Sequence, residues 1–130
     1  GFFEWKHEGA GKHPFYIHLN DQLLFAFAGL FDEWHDPAGT LLSTYTIITT
    51  EPNALMATVH NRMPAILAPD YEERWLTGGQ PDAGQLRAML VPYPAENMAM
   101  HPVSPLVNTP SADDERVIQP VASLDWEYTH

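Results

Sequence analysis

The sequence predicts a mixed α+β fold whose β-sheet is mainly antiparallel. Strand-like segments come first and then flank short helical segments, and strand and helix do not alternate regularly. The chain has 130 residues, of which 45% are hydrophobic, so it is long enough to bury a core without disulfides or metals. We therefore expect one α+β domain.

Strand signals dominate the first fifty residues. Residues 2–6 begin the chain in strand-like fashion, and residues 14–19 alternate apolar with polar side chains. Residues 23–30 form a continuous apolar run, which predicts a strand buried on both faces and paired with 14–19 in a hairpin. Residues 41–50 are rich in β-branched side chains and predict a further strand.

Helix signals follow in the second half of the chain. Pro52 suits the first turn of a short helix over 52–59. Early acidic residues favour a helix over 69–76, and Asp82 is placed to cap a helix that runs to about Met89. Brief strands are expected at 64–67 and near 98–104.

Composition excludes several kinds of site. The chain has no cysteine, so these residues hold no disulfide, thiolate metal site or cysteine nucleophile. Six basic and 17 acidic residues give a net charge of −11, which repels nucleic acid and anionic membranes unless a few cations are placed locally. No apolar run reaches the length of a membrane span, and we expect no membrane partner.

The sequence contains none of the common cofactor-binding or metal-binding motifs. The seven histidines do not have zinc-ligand spacing, and we expect no metal and no cofactor. The chain lacks the glycine-rich phosphate loops and the Gly-x-Ser-x-Gly turn of serine hydrolases, so a peptidase is the least supported function.

Four polar residues stand out beside apolar or strand-forming segments. Glu4 lies between two aromatic residues, and Thr49 lies at the end of a predicted strand. His60 and Arg62 are two residues apart, so an extended backbone would point both to one side. Taken singly, each is typical of an ordinary surface or capping residue.

Their combination is more informative, because several short motifs resemble the SRAP (SOS response-associated peptidase) family in the same order. The match runs from residue 2 to about 121, and Phe3 is a departure because the family usually has tyrosine there. The motifs are Phe2-Phe3-Glu4-Trp5-Lys6, Pro14-Phe15-Tyr16-Ile17, residues 25–34, Thr46-Ile47-Ile48-Thr49-Thr50-Glu51-Pro52-Asn53, residues 60–67, Pro102-Val103-Ser104 and Val107-Asn108.

The resemblance implies a barrel-like antiparallel core and a sensor of abasic sites in single-stranded DNA. Family members form a thiazolidine crosslink to the abasic sugar through an N-terminal cysteine. By position in the motifs, Glu4 would move protons during ring opening and imine formation, and His60 would assist ring opening and reversal of the link. Arg62 would bind a backbone phosphate, and Thr49 would contact the same strand.

The resemblance also implies that residues 1–121 are the C-terminal portion of an SRAP domain, followed by a tail at 122–130. The cysteine segment and two further family motifs that precede Phe-Tyr-Glu-Trp are not in this sequence. We therefore expect the chain to be inert alone, to need that N-terminal half for DNA crosslinking, and to act in the bacterial cytosol or nucleoid. The alternative is a non-catalytic binding or assembly module that forms homo-oligomers through exposed strand edges.

Overall fold

The computed structural model describes residues 1–77, 79 and 82–122, and this part of the chain is α+β, as predicted. The expected tail lies outside the described residues from position 123 onward. The strands are β1 Phe2–Glu8, β2 Gly11–Leu19, β3 Gly29–His35, β4 Leu41–Ile47, β5 Thr49–Thr50, β6 Met63–Pro64 and β7 Met98–Pro102, and the α-helices are α1 Pro69–Thr77 and α2 Ala83–Met89.

The described strands form three open antiparallel sheets, in the orders β1-β2-β7, β3-β4 and β5-β6. The chain divides into two compact units. The first contains residues 1–24, 53–61 and those from Pro94 on, and the second contains residues 25–52 and 62–93.

The first unit is organised by the three-stranded sheet. Gly9 has a φ of 56°, a left-handed conformation that glycine adopts without strain, and it turns β1 back into β2. β2 then pairs with β7, which lies about eighty residues further along the chain. The sheet and adjoining segments bury Pro14, Ile17, Leu19, Met56, Val59, Met98 and Val103.

The predicted hairpin of 14–19 with 23–30 is wrong. Both edges of β2 are occupied, by β1 on one side and β7 on the other, so no edge remains for residues 23–30. Those residues are irregular up to the start of β3, apart from one bridge between Phe27 and Ile66. The expected burial also fails at the start of the run, where Leu23 is 98% exposed.

The predicted helix over 52–59 is also corrected, because the structure forms only a 3₁₀ turn at Met56–Thr58. The side-chain oxygen of Asn53 accepts from the Met56 N–H at 2.9 Å. The N–H groups of Thr58 and Val59 donate to carbonyls three residues back, which tightens the turn. Local side-chain bonding thus replaces a longer helix.

The second unit contains the β3–β4 hairpin, the two-residue pairing of β5 with β6, and the two helices. Trp75 of α1 donates its indole N–H to the Gly29 carbonyl at 3.1 Å, and Asp82 caps α2 by accepting from the Gln85 N–H. The strand after residue 40 is confirmed as β4 and β5, with a break at Ile48. Its core contains Ala28, Ala65, Leu67 and Met89, with Ala26, Ile48, Tyr71, Trp75 and Leu90 packed against them.

The β3–β4 hairpin leaves large apolar side chains in solvent. Its strand residues are all exposed except the half-buried Gly29. These side chains occupy both faces of the hairpin, since adjacent strand residues point to opposite sides. The exposed apolar residues are Leu30, Phe31, Trp34, Leu41, Leu42, Tyr45 and Ile47. None of the helices in the described ranges has the length and apolar character needed to cross a membrane.

Candidate functional site

Glu4 is held in the first unit by the long hairpin. It lies in the middle of β1, opposite Phe15 of β2. β1 is the outer strand of its sheet, so a side chain near its free edge stays accessible. One carboxylate oxygen, Oε1, accepts the backbone N–H of Trp5 at 3.1 Å, and the side chain is 24% exposed. This bond fixes Oε1 and leaves the other oxygen, Oε2, facing His60.

His60 reaches the same place from the 3₁₀ turn. Met56 is fully buried and Val59 is 7% exposed, so these two side chains anchor the turn in the core. The His60 backbone N–H donates to the Met56 carbonyl at 2.9 Å. The imidazole, which is 38% exposed, is therefore presented from an anchored backbone.

The side chains of Glu4 and His60 lie close together. His60 Nδ1 lies 4.0 Å from Glu4 Oε2, although 55 residues separate them in sequence. That distance is longer than a hydrogen bond, and a small side-chain rotation or one bridging water closes it. A carboxylate beside an imidazole can accept and donate protons near neutral pH.

The pair lines an open cleft of about 460 Å³. Its other lining residues are Trp5, His7, Lys12 and Asn108. Every one of these residues belongs to the first unit, and a cleft of this volume has room for a sugar with a phosphate. The residue types supply an acid, bases, a cation and hydrogen-bond donors.

Trp5 and Asn108 brace the wall of the cleft. The Trp5 indole Nε1–H donates to Asn108 Oδ1 at 2.9 Å, which ties β1 to a 3₁₀ helix at Pro105–Asn108. Ser104 starts that helix, because its hydroxyl oxygen accepts the Leu106 N–H. This capping contact gives Ser104 a structural role.

Arg62 and Thr49 lie together in the second unit. Arg62 Nη2 donates to the Thr49 carbonyl at 2.6 Å, and Nε and Nη2 also donate to its hydroxyl oxygen. β5 and β6, which pair Thr49 with Pro64, bring the two residues together. Both side chains are exposed, and Thr49 orients the guanidinium.

Of the four residues singled out from the sequence, the structure therefore joins Glu4 to His60 and Arg62 to Thr49. Sequence reasoning missed His7 and Lys12 as cleft residues. A signal for them was present, because a hairpin that turns at Gly9 must place Lys12 opposite His7.

Comparison with known proteins gives a consistent result. The sequence profile of the family described as SOS response associated peptidase (SRAP) matches residues 1–110. The abasic site processing protein YoqW of Bacillus subtilis (strain 168) is 44% identical over 119 residues, which cover 91% of this chain and 53% of YoqW. The abasic site processing protein HMCES of Gallus gallus is 36% identical over an alignment 141 positions long, which covers 93% of this chain and 41% of HMCES.

A solved structure shares the fold. The crystal structure of a protein from Bacteroides thetaiotaomicron aligns with a TM-score of 0.87 at 35% identity, over 94% of this chain and 54% of that one. The chain spans about half the length of the bacterial proteins it matches, 53% of YoqW and 54% of the solved protein.

Proposed function

This chain belongs to the SOS response associated peptidase (SRAP) family, and we propose that it is part of a sensor of abasic sites in single-stranded DNA. The sensor forms a thiazolidine crosslink to the abasic sugar through an N-terminal cysteine that this sequence does not contain. The names of its relatives, abasic site processing proteins, support this substrate. A DNA substrate is in turn compatible with action in the bacterial cytosol or nucleoid.

The Glu4–His60 pair is the observation that carries the proposal. The open-chain abasic sugar has an aldehyde, and the cysteine amine adds to its carbon to give a carbinolamine. Loss of water gives an imine, and addition of the thiol to the imine carbon closes the ring with no change of oxidation state. Ring opening and loss of water each need a proton moved, and the paired carboxylate and imidazole can move it.

In this scheme Glu4 transfers protons at the sugar and at the departing water. His60 assists opening of the sugar ring and, in reverse, release of the link. The 4.0 Å separation allows the two groups to exchange a proton through one small movement or one water. The hydrogen bond from the Trp5 N–H holds Glu4 Oε1 and leaves Oε2 as the oxygen nearest His60.

Arg62 contributes a contact to a backbone phosphate in the same proposal. A guanidinium matches phosphate geometry well, and the bonds to Thr49 hold it in one orientation. Thr49 then acts on DNA through Arg62, in addition to any direct contact with the strand.

A denaturing gel with abasic single-stranded DNA tests the function. We expect no crosslink to the 130-residue chain alone. We expect a crosslink when a separate polypeptide supplies the N-terminal portion of an SRAP relative and begins with cysteine. A stable crosslink formed by the chain alone, or none with the added cysteine segment at saturating concentration, would contradict the proposal.

The exposed β3–β4 hairpin favours a second candidate function, a binding or assembly module. Phe31 and Tyr45 are cross-strand partners, and each is 81% exposed. An apolar patch of this kind promotes association between copies of a protein. Sedimentation of the chain at several concentrations tests the assembly role, since a constant monomer mass would exclude self-association.

A further inference from the structure

Lys12 and His7 are polar residues of the cleft that the proposed chemistry does not use. They are direct partners in the β1–β2 register, so their side chains lie on the same face of the hairpin. Both are exposed, and both line the cleft that contains Glu4 and His60. The structure thus places an amine and an imidazole beside the acid–base pair.

Neither Lys12 nor His7 has an acidic partner in an ion pair within the part of the chain that the structure describes. Lys12 makes no ion pair with any residue that the structure describes. The acid closest to it in sequence along the hairpin is Glu8, and Lys6 holds that carboxylate in an ion pair. The Lys6 contact lowers the pKa of Glu8, which keeps this acid charged and engaged with Lys6. Lys12 is therefore available to a ligand.

Asn108 adds a third donor on the same side. An indole N–H can only donate, so the side-chain oxygen of Asn108 must face Trp5. The amide nitrogen of Asn108 then points elsewhere, and it donates to none of the described residues. Trp5 and His7 are two residues apart on β1 and share one face, so Asn108 belongs with His7 and Lys12.

Glu4 lies on the opposite face of β1 from Trp5 and His7, because adjacent strand residues point to opposite sides. Because one cleft contacts both faces of this outer strand, the cleft crosses the free edge of β1. Proton-transfer groups thus lie on one side of the edge, and three hydrogen-bond donors lie on the other. His7 lies three positions after Glu4, about 10 Å further along the strand.

We propose that Lys12, His7 and Asn108 form a phosphate subsite that holds the DNA backbone next to the abasic sugar. The inference rests on the proposed function, since it assigns the strand's path across the Glu4–His60 cleft. Overall charge is −11, so the acidic protein as a whole repels DNA, and a local cation is needed to hold a phosphate. Lys12 provides that charge, and His7 and Asn108 provide hydrogen bonds.

The salt dependence of DNA binding tests the subsite on the 130-residue chain. Each phosphate contact to a single strand contributes about 0.7 to the slope of log K against log salt. We expect Lys12→Gln to lower that slope by about 0.7, and Lys12→Arg to restore it. Lys6→Gln is the matched control, because it also removes one positive charge from the same hairpin. Lys6 lies outside the cleft and is ion-paired to Glu8.

An unchanged slope for Lys12→Gln, or an equal fall for Lys6→Gln, overturns the subsite. The crosslinking gel with the added cysteine segment separates the two proposals. If Lys12→Gln lowers the slope and the complemented chain forms no crosslink, the subsite stands and the abasic-site function fails. If the complemented chain forms the crosslink and the slope is unchanged, the subsite alone fails.

Titration with inorganic phosphate provides a second readout if DNA binding is too weak to measure. We expect the imidazole NMR signals of His7 to shift on addition of phosphate, and to shift less in Lys12→Gln. The exposed His35, which lies outside the cleft, is the internal control. Equal shifts of His7 and His35, or none, overturn the subsite.

Discussion

The two long hairpins of this protein have the same length of pairing and opposite surroundings. β1–β2 and β3–β4 each pair seven residues on each strand. The first carries Glu4 and contributes Ile17, which is fully buried, whereas the second leaves Phe31 81% exposed. Local sequence pattern is enough to form a strand pair, and burial depends on what the rest of the chain places against it.

The hairpin that carries the site is the one built into a core. β2 is flanked on both edges, and the anchored turn at Met56 presents His60 to it. The proton transfer that we propose for Glu4 and His60 depends on the separation of the two side chains, so it needs rigid supports. The β3–β4 hairpin leaves nearly all of its strand residues exposed, and its proposed role is contact with other chains.

The largest expected difference between the hairpins is in core stability. Ile17→Ala removes a fully buried side chain and should lower the free energy of unfolding by about 2–5 kcal/mol. Phe31→Ala removes a larger but exposed side chain and should change it by no more than about 0.5 kcal/mol. Urea unfolding measures both. A similar loss for the two variants would show that the second hairpin is buried in solution.

Self-association sharpens the same comparison. If the β3–β4 hairpin mediates assembly, Phe31→Asp should weaken it on the order of tenfold, because a charge replaces apolar area opposite Tyr45. Asp32→Asn is the control, since it changes a charge on the other face of the same strand. Sedimentation equilibrium measures the association constant. Equal weakening by both variants would locate the interface elsewhere.

The strands that sequence patterns predicted best are those whose signal is local. Alternation in 14–19 and β-branched residues in 41–50 predicted strands at the right places, although the second is broken at Ile48, and Asp82 caps its helix as predicted. The partner of β2 was missed, because pairing with Met98–Pro102 depends on contacts eighty residues away. A continuous apolar run at 23–30 was read as a buried strand, yet Leu23 and Leu24 are exposed.

Four residues of the candidate site were predicted from the sequence, but their spatial arrangement was not, because it also depends on contacts between distant parts of the chain. Glu4, His60, Arg62 and Thr49 were found because they occur in family motifs. The motifs carried no distances, and the 4.0 Å contact of Glu4 with His60 appears only in the folded chain. Lys12 was not singled out from the sequence, since its place in the cleft follows from the register of the first hairpin.

The smallest expected effect is a pH dependence in the first unit. The Arg116 side chain, and then its backbone N–H, lower the pKa of the Asp114 carboxyl to about 2 from an ordinary value of 3.8. A carboxyl whose pKa is lower in the folded state stabilises the fold at pH values above its pKa in the unfolded state. This contribution is lost as the pH falls through the folded-state pKa of about 2. The contribution is small because the pair is exposed.

At pH 6, the Asp114→Asn variant should therefore have a slightly lower Tm than the native chain. This difference in Tm should shrink between about pH 4 and pH 2. The Asp113→Asn variant controls for the change of net charge at the neighbouring acid. A Tm difference that grows as the pH falls would contradict the assignment of the shift to Asp114.

The central claim is that Glu4 and His60 act together on the abasic sugar, and the rate of crosslink formation tests it most directly. The measurement uses abasic single-stranded DNA and the chain complemented by a saturating cysteine-bearing segment. Glu4→Gln and His60→Ala should each slow crosslinking by about 100-fold, the lower range for general acid–base catalysis, and the double variant should be little slower than either. Glu33→Gln and His35→Ala, at exposed positions of β3, should leave the rate unchanged. Crosslinking at the native rate by either cleft variant would contradict the account.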